Sequence, residues 1–256
     1  MSLIRYLADA LTLCEFELRK LKHDSSQVWL RCVQPALWLL VFGSVFGAVR
    51  GISTGGFTYL QFMTPGVLAQ SVMFVAVFYG FTLVWERDLG LLNKLLSTPV
   101  SHSAIVLGKA LSAGVRGIFQ ALVVLALALI VGINLSLNPV NVLAVFCVII
   151  LFGMCFSSLS MCLVPIFRTR ERMMGIGQAI TMPLFFASNA IYPVTMMPNW
   201  LKIVAVVNPL SYVVDAMRAL LVTGDFTNLP IDISALILAT TMLIALAGFS
   251  FKRIIS

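Results

Sequence analysis

Residues 60–84 read LQFMTPGVLAQSVMFVAVFYGFTLV, a run without Asp, Glu, Lys or Arg. A helix needs about 20 mostly apolar residues to cross the hydrocarbon core of a bilayer. This run meets that length, and apolar stretches at 33–49, 110–131, 140–167, 174–192 and 233–251 repeat the pattern. The expected fold is an all-α membrane protein with six transmembrane helices. Composition agrees, since 60% of the 256 residues are hydrophobic and 11% are charged. Mean hydropathy is +1.02. A soluble fold cannot hide that much apolar side chain, because much of its surface must face water. A disordered chain, a secreted disulfide scaffold and an ordinary soluble enzyme are excluded. The five cysteines form no C-x-x-C pair and read as buried free thiols, and the two histidines make a His-based metal site unexpected. The first 30 residues are charge-rich, so no signal peptide is expected.

The net charge is +7. In a polytopic chain, loop Lys and Arg set topology rather than mark nucleic-acid binding. Arg5, Arg19, Lys20, Lys22 and Arg31 precede the first span, and Arg87, Lys94 and Lys109 follow the second. Arg168, Arg170 and Arg172 follow the fourth, and Lys252 and Arg253 end the chain. The opposite side holds only Arg50, Lys202 and Arg218, while Arg116 lies inside the third span. Both termini are thus expected in the cytoplasm, in keeping with an even span count. Arg116 reads either as a side chain snorkelling to the interface or as part of a substrate path.

Three segments outside the spans carry structure of their own. Leu3, Leu7, Leu11, Cys14, Leu18 and Leu21 recur at helical spacing, so residues 1–32 predict an amphipathic helix lying on the membrane or docking on a partner. Residues 85–96, WERDLGLLNKLL, predict a second amphipathic helix ended by Thr98 and Pro99. Residues 192–230 are apolar but broken by Pro193, Pro198, Pro209 and Pro230, which predicts short helices dipping back into the outer leaflet. Asp215 and Arg218 stand at i, i+3 and are able to pair. Gly43 and Gly47 form a G-x-x-x-G that permits close helix packing, within the chain or at a dimer seam. Phe74, Phe78, Phe81, Phe185 and Phe186, with Asn189 beyond them, either line an apolar route or simply pack; Met154, Met161, Met173, Met174 and Met182 have the same two readings.

No G-x-x-x-x-G-K-[ST], H-E-x-x-H or G-x-S-x-G occurs, so the chain has no P-loop, zincin or serine-hydrolase signature. No acidic pair lies deep in a span, which weakens a proton-driven carrier or an ATPase-independent channel; a membrane-embedded enzyme lacks a catalytic cluster.

Glu86-Arg87-Asp88-x-Gly90-x-Leu92-x-x-Leu95-x-x-Thr98-Pro99-Val100-Ser101, followed by Leu107-Gly108-Lys109, resembles the first cytoplasmic loop of ABC-2 type exporter permeases. Tyr192-Pro193-Val194, Met197-Pro198-x-Trp200-Leu201 and Asn208-Pro209-Leu210-Ser211-Tyr212-x-x-Asp215-x-x-Arg218 resemble that family's segment before the last span, and Phe62-Met63-Thr64-Pro65-Gly66 its opening of the second. The likeness covers nearly the whole chain and is nearest the drug-resistance and nodulation-factor branch. Leu91 and Asn93 depart from branches that place Thr and Glu there.

The resemblance implies a single transmembrane domain over 1–256, similar to type V ABC exporters. It comprises a connecting helix in 1–32, a six-span bundle over 33–251, a coupling helix at 85–99 and an extracellular re-entrant segment at 192–230. It implies a permease in the inner (plasma) membrane that pairs with a second copy, each copy served by a separate ATPase that holds the ATP and Mg²⁺. This chain itself is expected to bind no cofactor or metal and to catalyse nothing. Glu86, Arg87, Asp88, Gly90, Lys94, Leu95 and Pro99 would meet the ATPase. Phe74, Phe78, Phe81, Phe185, Phe186 and Asn189 would line the path of a drug, lipid-linked or glycan substrate, and Tyr192, Asp215 and Arg218 the outer gate.

Overall fold

The computed structural model describes residues 3–21, 33–47, 55–97, 100–167 and 169–255. Among them the regular structure is entirely helical. In chain order the helices are α1 (Leu3–Leu21), α2 (Val33–Gly47), α3 (Tyr59–Asp88), α4 (Leu91–Leu96), α5 (His102–Ile130), α6 (Pro139–Leu163), α7 (Arg170–Phe186), α8 (Asn199–Val207), α9 (Pro209–Thr223) and α10 (Leu229–Ile255). Four of them, α3, α5, α6 and α10, are long and apolar enough to cross a membrane. A fifth crossing exists if α8 and α9, which meet at a bend of 82°, count as one. The chain is a multi-pass membrane protein.

Local chemistry explains where these helices start. Thr58 and Gln61 cap α3 reciprocally: the Gln61 N–H donates to the Thr58 hydroxyl at 3.3 Å, and the Thr58 N–H to the Gln61 amide oxygen at 2.9 Å. Asn138-Pro139 and Asn208-Pro209 start α6 and α9 by one device. The Asn side chain accepts from the second residue after it, and Pro takes the first helical position, where its missing N–H costs nothing.

α3 is the central pillar. Of its apolar stretch 78% is buried within the chain, against 17% for the peripheral α10. α5 and α6 pack on it and on each other. Their closest approach is at Gly114 and Gly153, where a Cβ on Gly153 would lie 2.7 Å from the Gly114 Cα. Lipid gives apolar helices little reason to associate, so such small-residue contact supplies the packing. The G-x-x-x-G of α2 is used at one position only. Gly43 abuts Leu60, whereas among the described residues nothing lies within 4 Å of a Cβ placed on Gly47.

The structure corrects the expected boundaries in several places. The second amphipathic helix does not begin at Trp85: residues 85–88 are the last turn of α3, and the separate helix is only α4. Gly90 is the cause, since its φ of +71° breaks the helical run. Thr98 and Pro99 lie outside the described residues. α5 begins at His102 rather than near 110, capped by Ser101, whose hydroxyl accepts from the Ala104 N–H at 3.3 Å. Lys109, expected in a loop, therefore sits two turns inside a helix. The stretch expected as the fifth span starts at Arg170 and stops at Phe186, after which residues 187–192 turn. With α2 it falls short of a full crossing length.

α1 also docks otherwise than its leucine stripe suggests. Ala10, Leu13, Cys14 and Glu17 are buried, while Leu7 and Leu11 are exposed. Gly108 of α5 permits the contact, for a Cβ there would meet the Ala10 carbonyl at 2.8 Å. The face against the bundle is thus the one with small residues and a carboxylate. Leu7 and Leu11 face away from the bundle.

Candidate functional site

The end of the bundle that carries most of the Lys and Arg, the basic end, is built around a buried ammonium. Lys109 is 2% exposed. Its Nζ lies 2.6 Å from Glu86 Oε2 at the end of α3 and 3.2 Å from Glu17 Oε1 on α1. Two turns further into α5, Arg116 donates to the Glu17 carbonyl at 2.7 Å, and its guanidinium lies 4.3 Å over the Tyr79 ring. Two cations face two carboxylates, so the group is formally neutral. That balance is what makes its burial tolerable, because one unpaired charge there would cost several kcal/mol. Arg116 thus ties α5 to α1.

The seven expected coupling residues divide. Glu86 turns inward to Lys109, its side chain 14% exposed. Asp88 bridges Arg87 at 3.3 Å and Arg170 of α7 at 3.2 Å, and Arg170 sits over Trp85. Gly90 makes the elbow. Beyond it Leu92 is buried, whereas Leu91 and Lys94 are exposed. Leu95 belongs to α4, and its side chain, like Pro99, lies outside the described residues.

The expected path residues do not share one chamber. Phe74 and Phe78 stack at 6.0 Å along α3 and line a cavity of about 370 Å³ with Gln34, Ser71, Gln120 and Gln178. Phe81 is wholly buried behind them, edge-on to Phe78. Phe185 is also wholly buried, 5.4 Å from Trp38. Phe186 opens instead on a larger apolar cavity of about 620 Å³ with Phe42, Phe46, Tyr59 and Tyr192. Asn189 is buried beyond both. The three glutamines were missed in the sequence. Their signal was there, for Gln120 and Gln178 interrupt runs expected to span, and a polar residue within a membrane marks a functional position.

At the proline-rich end the helices are short and their broken ends need partners. Asn208 donates to the Leu184 carbonyl at 2.7 Å, and Tyr59 to the Ile191 carbonyl at 3.1 Å. Asn141 donates to the Leu220 carbonyl at 3.0 Å, where α9 widens into a π turn. Of the three expected gate residues, Asp215 and Arg218 meet at 2.9 Å. Arg218 also donates to the Asn189 carbonyl at 2.8 Å and lies 4.0 Å over the Phe62 ring. Tyr192 bonds to the Phe186 carbonyl instead.

The pieces make a bundle with a polar-lined chamber, a charged and elbowed basic end, and a stitched opposite end. No step of covalent chemistry is suggested by this arrangement; binding and movement are. Comparison with known proteins agrees. The chain is 29% identical over 220 residues to a putative transport permease, ycf38, of Porphyra purpurea, covering 81% of this chain and 75% of that one. It is 32% identical over 194 residues to the ycf38 permease of Cyanophora paradoxa, covering 73% and 65%. It is 28% identical over 200 residues to the daunorubicin resistance ABC transporter permease protein DrrB1 of Streptomyces coeruleorubidus, covering 78% and 70%. The family model for the ABC-2 type transporter matches residues 9–222, most of the length, and this chain belongs to that family of membrane transport permeases.

Proposed function

We propose that this chain is the permease half of an ATP-driven exporter. Two copies pair across the membrane, and each rests on a separate ATPase subunit that supplies ATP and Mg²⁺. Both termini lie in the cytoplasm of the inner (plasma) membrane, so the basic end faces the ATPase and the proline-rich end faces out. α2 and α7 complete six crossings, and 192–230 is the outer re-entrant segment.

The carrying observation is the elbow at Gly90 in a chain that has an ABC-2 fold and no nucleotide-binding motif. α3 runs unbroken from the outer end to Asp88, and α4 hangs from it with Leu91 and Lys94 exposed. A push on α4 therefore reaches the central pillar. Arg87, Asp88, Gly90 and Lys94 form the surface toward the ATPase, Glu86 supports it from behind, and Leu95 and Pro99 join the contact by their place in the sequence. Nucleotide acts by binding one conformation of the complex better than the other, so the permease shifts from inward to outward access.

The chamber between α2, α3, α5 and α7 holds the substrate. Its polar lining is Gln34, Ser71, Gln120 and Gln178, and its flat apolar lining is Phe74 and Phe78. Amides and a hydroxyl beside aromatic faces suit an amphiphile with uncharged hydrogen-bonding groups, as in a polyketide drug, a lipid-linked molecule or a glycan. Phe81, Phe185, Phe186 and Asn189 shape the route beyond it, and Tyr192, Asp215 and Arg218 the exit.

The test is reconstitution in liposomes with and without the cognate ATPase, with daunorubicin as fluorescent probe. We expect probe transport only with ATPase and ATP, falling at least tenfold in Gln178→Leu. Transport by the chain alone under an ion gradient would overturn the reading in favour of a secondary carrier or channel.

A further inference from the structure

The cluster at Lys109 lies outside the elbow and outside the chamber, yet it joins three elements that no backbone hydrogen bond joins. Glu17 belongs to α1, Glu86 to the last turn of α3 and Lys109 to α5. One ammonium contacts both carboxylates, at 3.2 and 2.6 Å, and all three side chains are largely buried. We propose that Lys109 is a positioning residue, the centre of a buried charge strut that locks α1 to the cytoplasmic end of α3, so that the Gly90 elbow and the N-terminal helix move as one body.

Three features carry this. The first is place: Glu86 stands two residues before the end of α3, four before Gly90, so anything fixed to Glu86 is fixed to the base of the elbow. The second is redundancy on α1. Glu17 is held through its carboxylate by Lys109 and through its carbonyl by Arg116, whereas the rest of that helix's buried face is Ala10, Leu13 and Cys14, small or apolar groups that permit sliding. The third is strength. A buried ion pair between helices has one favourable geometry, and departing from it leaves charge unpaired in an apolar surrounding. Apolar contact against lipid has no comparable restoring force. α1 is then more than a float on the membrane, because its exposed Leu7 and Leu11 are carried wherever α3 carries them.

The proposal leans on the exporter reading only for the source of the motion; the strut is a property of the chain itself. Two measurements separate them. In the first, the five native cysteines are changed to alanine. Spin labels are then placed at Leu11→Cys and Leu89→Cys, both exposed, and the distance between them is read by pulsed dipolar EPR in lipid nanodiscs. The unaltered strut gives one narrow distribution. Glu17→Gln keeps Lys109 paired to Glu86, so the fold survives its loss, and the distribution widens at least twofold. Lys109→Arg keeps the charge and the narrow distribution. An equally narrow distribution in Glu17→Gln overturns the strut.

The second measurement uses the complex with its ATPase. Glu17→Gln is expected to lower the ratio of daunorubicin exported to ATP hydrolysed about fivefold, with hydrolysis itself retained, and Lys109→Arg to keep the native ratio. An unchanged ratio overturns the proposal. Failure of the unaltered complex to use ATP would overturn the exporter reading, and the EPR distances would still decide the strut.

Discussion

The two ends of this bundle solve the same problem with opposite chemistry. At the basic end α3 runs unbroken to Asp88 and α5 starts at His102, and most links between elements are ionic: Lys109 to Glu86 and Glu17, and Arg170 to Asp88, with Arg116 donating to the Glu17 carbonyl. At the proline-rich end the helices are short, bent or widened, so carbonyls are left over. There most links are side chains donating to backbone, neutral at Asn208 to Leu184, Tyr59 to Ile191 and Asn141 to Leu220 and cationic at Arg218 to Asn189. Where no water is at hand, an orphaned carbonyl must find a donor within the protein. The contrast teaches that a broken helix consumes the polar side chains around it, whereas an unbroken one leaves them free to act between elements.

The comparison breaks most visibly at Lys109. Lys109→Met strands two buried carboxylates, and removing one partner of a buried ion network costs about 3–5 kcal/mol. The measurement is thermal unfolding in nanodiscs followed by Trp fluorescence. Lys109→Arg keeps most of the stability. If Lys109→Met unfolded at the same temperature as the native chain, the carboxylates would have to be hydrated and the knot would not be a buried one.

At the other end the largest effect falls on Asn208, which does two jobs at once. Its side-chain oxygen caps α9 by accepting from the Leu210 N–H at 3.0 Å, and its amide group satisfies the Leu184 carbonyl. Asn208→Ala loses a cap worth about 1 kcal/mol and strands a carbonyl at about 1–3 kcal/mol. Asn208→Ser keeps an oxygen at the cap and lacks the amide that reaches Leu184, so its loss reports the stitch, and the further loss in Asn208→Ala reports the cap. The same unfolding assay reads both, and an Asn208→Ser variant as stable as the native chain would mean that the Leu184 carbonyl finds another donor.

These two positions also mark what the sequence made legible. Periodicity and length gave the long helices closely, because an apolar run in a membrane chain has one economical conformation. The prolines announced short pieces in 192–230, and the i, i+3 spacing announced the meeting of Asp215 and Arg218. Lys109 was not legible. Its run, LGKALSAG, carries one charge near a basic loop, and only the distant Glu17 and Glu86 make it interior. Nothing local distinguishes a lysine at a helix mouth from one buried two turns in. The stripe on α1 did not mark the face that docks on the bundle. Its leucines form the regular stripe, yet the face that docks is the one with Ala10 and Glu17, since close approach favours small side chains and the docking partner supplies the counter-charge. The helical pattern ran on through Gly90, where a glycine permits close approach or a bend, and the elbow falls on that residue. Of the chamber, the aromatic half was visible and the glutamines were not, because three amides on α2, α5 and α7 become neighbours only once the helices pack.

The smallest expected effect sharpens the comparison by staying on one helix. Two residues beyond Glu17, Arg19 pairs with Glu15 at 2.6 Å, closer than Lys109 lies to Glu17. By distance alone it should be the stronger link. Its side chains, however, are 78% and 63% exposed, so water and salt screen the pair and holding two long side chains together costs entropy. Such an i, i+4 pair contributes about 0.3–0.5 kcal/mol. Arg19→Ala should therefore shift unfolding by no more than that, and the shift should vanish in about 1 M salt, where screening acts within about 3 Å. The loss in Glu17→Gln should persist in the same buffer, because ions do not enter a site from which the side chains themselves are hidden. If salt abolished both effects alike, the difference between the pairs would lie in their geometry, and burial would not be what makes the basic end rigid.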